Sequence, residues 1–195
     1  MLGVIEMTWC EVLPTIVAAA PSIAVAIVNL ILLKRNSKKQ IIHNEKRIEI
    51  DSLTQKLEGF YYPYTIWAKE NTALYDLFSS ELMKENANFT TLVSLLEKRE
   101  FSGNDSAILK RIIQNDEKLN ELISLKGNLV DDPKLRELLV KSSTHYSVIT
   151  MAYNGEICNE TDRFSACIHP GEVFAAVQEK TVAIEARISK LKEDI

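Results

Sequence analysis

The chain has 195 residues, of which 46% are hydrophobic and 26% charged, with a formal net charge of −4. Its charge is unevenly spread: Lys34, Arg35, Lys38 and Lys39 cluster, whereas residues 40–195 hold 19 basic and 25 acidic side chains. An acidic C-terminal part excludes a general binder of duplex nucleic acid, which needs a basic face, and three cysteines (Cys10, Cys158, Cys167) with no CxxC fit reduced thiols.

In chain order, the first predicted element is a transmembrane helix over residues 12–33. Val12 to Leu33 is 22 residues without a formal charge, roughly 33 Å of helix against a hydrocarbon core of about 30 Å. A removable signal peptide has a shorter apolar region after a basic start; here residues 1–11 carry Glu6 and Glu11 and no lysine or arginine. The basic residues beyond the span, Lys34 to Lys39 with Lys46 and Arg47, place the C-terminal part in the cytoplasm and the short N-terminus outside. The expectation is a single-pass protein of the inner (cytoplasmic) membrane. Ala18, Ser22 and Ala26 share one helix face, extended by Asn29. Small residues let helices approach closely in lipid, so this face predicts homo-oligomerisation.

Residues 34–60 read as a basic juxtamembrane segment and stalk helix, with Ile42, Ile50, Leu53, Leu57 and Phe60 on its apolar stripe. Gly59 and Pro63 predict a break. Residues 61–195 then read as a cytoplasmic α-helical domain. Its second helix starts near Pro63, with Ile66, Leu74, Leu77, Phe78 and Leu82 facing inward. A third runs from about Phe89 to Lys98. A fourth spans about Ser106 to Leu125 with Asp105 as N-cap, and ends at Gly127. Asp132 and Pro133 open a fifth, which continues to about Tyr153. An irregular stretch of about 18 residues comes next, and the last helix begins at Pro170 or Glu172. No alternating strand pattern is present, so the fold class is all-α: one N-terminal transmembrane helix, a stalk helix and a cytoplasmic helical bundle.

The sequence contains none of the common phosphate-loop, dinucleotide, zinc-protease or serine-hydrolase motifs, so no catalytic residue and no cofactor is assigned and the expectation is a protein that is not an enzyme. Cys158, Cys167 and His169, with His145 upstream, are soft ligands, but their C-x8-C-x-H spacing matches no common zinc site; no metal is assigned. Two clusters suit a polar or phosphorylated ligand. The first choice is Lys141, Ser143, Thr144, His145 and Tyr146, in which a lysine supplies charge and hydroxyls reach phosphates. The second is Tyr61, Tyr62 and Trp67, aromatic faces on which a base can stack. The structural alternative for both is interhelical packing.

The layout of "LILLKRNSKK", then "LEGFYYPYTIWAKEN", then "LNELISLKGNLVDDPKLRELL" resembles the membrane effectors of type III CRISPR systems, bacterial anti-phage defence proteins that sense cyclic oligoadenylate. The resemblance implies a cytoplasmic domain that binds a cyclic oligonucleotide and a membrane part that disturbs or gates the bilayer. The alternative reading is a membrane-anchored adaptor or scaffold that binds a protein partner.

Overall fold

The computed structural model describes the backbone of residues 9–164 and 166–193, and side chains from Asn29 onward. Among the described residues every regular element is helical: α1 (Trp9–Lys56), a π turn (Leu57–Tyr61), α2 (Tyr62–Glu85), α3 (Thr91–Leu96), α4 (Gly103–Lys126), a 3-10 turn (Gly127–Leu129), α5 (Pro133–Tyr153), α6 (Thr161–Phe164) and α7 (Glu172–Glu193). The described residues divide into two compact units, one up to residue 49 and one from residue 50 onward.

In the first unit, Asn29 and the apolar run Leu30 to Leu33 are exposed, as are Ile41 and Ile42. The rest of the expected span, with Ala18, Ser22 and Ala26, lies outside the described side chains, and residues 1–8 lie outside the described backbone. Among the described residues no helix is long and apolar enough to cross a membrane.

The second unit is held by two apolar cores. One joins Leu57, Phe60, Tyr61 and Tyr64 to Leu119 and Leu122 of α4, Leu139 of α5 and Val173, Val177 and Ile184 of α7. The other joins Phe78 and Leu82 of α2 to Leu92 and Leu96 of α3, Leu109 and Ile112 of α4, and Val148 and Ile149 of α5. Ile50 and Leu53, read from sequence as stalk, pack against the first core, so this end of the stalk segment belongs to the helical domain.

The predicted break at Gly59 and Pro63 is instead a π turn with helical geometry on both sides, since Lys56, Tyr61 and Tyr62 all have right-handed helical φ and ψ. Pro63 directly follows the π turn at the start of α2 and supplies no N–H to the carbonyls of that turn. A Cβ at Gly59 would meet Leu129 Cδ1 at 2.8 Å, so a larger residue there would displace that side chain.

Two helix readings are corrected. On α2, Ile66 and Leu77 are 63% and 65% exposed; the inward face runs through Tyr64, Ala68, Asn71, Tyr75, Phe78 and Leu82 at alternating steps of four and three. α4 begins at Gly103 with Ser102 in the extended N-cap conformation, and Asp105 lies in the first turn, where its charge favours the helix dipole. By contrast Asp132 caps α5 as read: its Oδ1 accepts from the backbone N–H groups of Lys134 at 2.9 Å and Leu135 at 3.1 Å. The four-residue α6 has no counterpart in the sequence reading.

Candidate functional site

The inward stripes of α2 and α4 carry polar residues midway. On α2, Asn71 lies between Tyr64 of the first core and Phe78 of the second. On α4, Asn115 and Asp116 lie between Ile112 of the second core and Leu119 of the first. Asn115 is fully buried and Asp116 is only 4% exposed. The two cores are thus separated by a polar layer, and a cavity of about 380 Å³ opens at that level, with walls from α2, α3, α4, α5, Phe174 of α7 and the segment around His169.

Asn71 Nδ2 donates to Asp116 Oδ1 at 2.6 Å and, more weakly, to the Ile112 carbonyl at 3.4 Å. The Ile112 carbonyl can only accept, which assigns the amide nitrogen to this side and leaves Asn71 Oδ1 buried without a partner. Burial pushes the Asp116 carboxyl up to about 8; the Asn71 hydrogen bond opposes this and nearby Glu117 adds to it. Across the cavity, His145 Nδ1 lies 2.7 Å from the Cys167 carbonyl. A carbonyl only accepts, so Nδ1 carries the proton and donates. The Tyr146 hydroxyl is hydrogen-bonded to His169 Nε2 at 3.0 Å. The His145 and His169 rings meet edge to face, with centroids 5.4 Å apart.

Burial lowers both histidines: His169 is held down at about 4, with His145 acting in the same direction, and His145 falls below its usual value against the opposing Cys167 contact. Burial and the neighbouring Tyr64 push the Tyr146 hydroxyl far up. The Tyr64 hydroxyl lies beside Tyr146 and Ser142 without a hydrogen bond of ordinary geometry to either. Among the described residues no lysine or arginine lines the cavity. At neutral pH its wall is therefore almost uncharged, and its one acidic group holds a proton.

Of the eight sequence-predicted ligand residues, the structure brings His145 and Tyr146 to this wall. Lys141 is exposed and paired with Glu137 at 2.9 Å. Ser143 Oγ donates to Asn120 Oδ1 at 2.6 Å, and Thr144 Oγ1 to the Val140 carbonyl at 3.0 Å. Tyr61 is buried in the first core, and Trp67 packs against that core with Lys118 Nζ 6.0 Å from its ring centroid. Tyr62 is on the surface, donating to Glu185 Oε1 at 2.9 Å. The sequence reading missed Asn71, Asp116 and Tyr75. Their signal is positional: polar side chains standing on stripes whose other members are core residues. Among the described residues no group of three or more histidine, cysteine or acidic side chains is placed to hold a metal ion.

No protein-family model, curated protein or solved structure matches this chain.

Proposed function

We propose that the protein is a membrane-tethered sensor whose helical domain binds a small molecule in the cavity between its two cores. The observation that carries this reading is the cavity itself, about 380 Å³ of space placed against a buried polar layer. A concave, mostly apolar space with a few convergent polar groups is the usual form of a small-molecule site. The tether rests on the 22 uncharged residues from Val12 to Leu33 and the basic residues after them. Association of the tether rests on the face of Ala18, Ser22, Ala26 and Asn29. In this reading ligand occupancy in the domain controls an oligomeric membrane part, the working principle of the anti-phage effectors that the chain resembles.

The uncharged wall bears on the ligand. A cyclic oligonucleotide carries phosphates, which need cationic or multiple N–H partners, and its phosphates would have to lie outside this cavity. The test is a thermal-shift screen of the full chain against a small-molecule set that includes cyclic oligoadenylates, with Ala68→Phe as a variant that fills the cavity from α2. A cavity ligand raises the melting temperature of the parent and leaves Ala68→Phe unmoved. A ligand that stabilises both equally binds elsewhere and sinks the cavity reading. If nothing stabilises the parent, the adaptor that binds a protein partner replaces the sensor.

A further inference from the structure

A buried carboxyl in the cavity wall bears on the chemistry of the occupant. Asp116 is 4% exposed and lines the cavity. The groups acting on it are a neutral amide, Asn71, and a like charge, Glu117. A buried carboxyl is ionised only with a cationic partner close by; without one it keeps its proton. Among the described residues no such partner is supplied: α4 offers Glu117; α2 offers Tyr64 and Tyr75, and its Glu70 is engaged by Arg111 at 2.8 Å; α5 offers His145 and Tyr146; and the segment before α7 offers His169. Beside the carboxyl, Asn71 Oδ1 is a second acceptor with nothing donating to it. Most of the remaining wall is apolar or aromatic, including Tyr75, Leu119, Ile149 and Phe174, with the hydroxyls of Thr72, Thr90 and Thr91 beside them.

We infer that the cavity takes a small organic ammonium ion, whose N–H groups donate to the Asp116 carboxylate and Asn71 Oδ1 while its apolar body lies against the aromatic and aliphatic wall. The inference rests on the sensor reading above and names its ligand class. A cation with N–H groups supplies both missing partners at once, and an electron-rich aromatic wall favours it further. A neutral alcohol supplies a donor but leaves the carboxyl protonated, and an anion meets a wall with no cationic side chain.

Binding of the ion releases the Asp116 proton, so affinity rises with pH until that carboxyl is ionised in the free protein. Below about pH 8 the rise is about tenfold per pH unit for one displaced proton. Burial lowers both histidines, His169 to about 4, so they favour the neutral form where Asp116 titrates.

The experiment uses the full chain and two isosteric probes, benzylamine and benzyl alcohol. Each is titrated between about pH 6 and about pH 8, where the amine keeps its charge, with the Asp116 carboxyl carbon followed by NMR. Benzylamine is expected to bind at least tenfold more tightly than the alcohol at the upper end, to shift the Asp116 resonance to its ionised position, and to lose affinity as pH falls. Asp116→Asn is expected to abolish the preference for the amine. Should that variant fail to fold, the pH dependence in the parent still decides. Equal binding of the two probes, or benzylamine affinity independent of pH, overturns the ammonium inference and leaves the sensor cavity standing. If neither probe binds at millimolar concentration, the ammonium inference falls, while the cavity reading stands or falls by the Ala68→Phe screen.

Discussion

Asn71 and Asp116 occupy positions on α2 and α4 that an aliphatic or aromatic side chain fills one turn away in either direction, and the hydrogen bond between them ties the helices at that level. The cost of that arrangement has a measurable pH signature. The folded value of Asp116, about 8, lies above its ordinary 3.8. The folded chain therefore keeps a proton that the unfolded chain releases, and the group's contribution is complete below about pH 4 and lost as pH rises toward about 8. His169 runs the other way: with a folded value of about 4 against an ordinary 6.5, its contribution is complete above the higher value and lost as pH falls through the lower. The two oppose each other over much of the acid range, so the parent melting curve isolates neither. The difference between Asp116→Asn and the parent does. An asparagine keeps an acceptor for Asn71 Nδ2 and carries no charge, so the variant should match the parent near pH 4 and melt progressively higher than it toward pH 8, by up to about 5 kcal/mol. Calorimetry across that range checks this; a constant offset would mean that Asp116 is ionised in the folded chain. The site was only half legible at this scale. His145 and Tyr146 stand out as unusual residue types in a helix, whereas Asn71 and Asp116 are common surface residues, and only their place on a buried stripe marks them.

At the scale of elements, the junction of α1 and α2 is the least ordinary part of the domain. A π turn inserts one extra residue per turn and lets Leu57, Phe60 and Tyr61 all reach the first core. The Phe60 ring stacks on Tyr64 at 5.6 Å and meets Tyr61 edge-on at 5.4 Å. Gly59 faces Leu129 across this turn. Gly59→Val should destabilise the domain by about 1–3 kcal/mol through overpacking. Combined with Leu129→Ala, which removes the opposing methyls, it should cost less than the sum of the two single changes; strict additivity in urea melts would show that the contact is not the reason for the glycine. α5 is held at its start by Asp132, which also receives Lys180 Nζ at 3.5 Å, while Lys56 pairs with the adjacent Asp131. Hydrogen bonds from Leu135 and Lys134 and the Lys180 charge hold the Asp132 carboxyl below its usual range. Asp132→Ala should lower the melting temperature by roughly 3 °C at neutral pH; the deficit should shrink in acid, where the parent carboxyl is itself protonated. The beginning of α5 was readable because capping is a local matter of an acceptor and two N–H groups. The π turn was not, because Gly and Pro carry the same letters whether they break a helix or fit inside one.

At the scale of the whole molecule the sensor reading joins a ligand-binding domain to an associating membrane helix, and each half has its own test. A reporter active only in the cytoplasm, fused at the C-terminus, should function, and one active only outside should not; the reverse pattern would end the topology argument from Lys34 to Arg47. Ser22→Leu and Ala26→Leu should weaken oligomers in detergent while leaving ligand binding by the domain unchanged. Periodicity and composition alone were enough for an all-helical fold class, for the start of helix α7 at Glu172, for the capped start of α5, and for the contrast between an apolar N-terminal run and an acidic remainder. These are local quantities, set within a few turns of helix. Which polar residues are buried, which apolar ones are left outside, and where the two cores fail to meet are matters of long-range packing. Ile66 is exposed and Asp116 buried because the packing of α2 against α4 sets the orientation of both helices. That packing is fixed by residues far apart in the chain, such as Asn71 and Asp116, separated by 45 positions. No window of neighbouring residues contains that information.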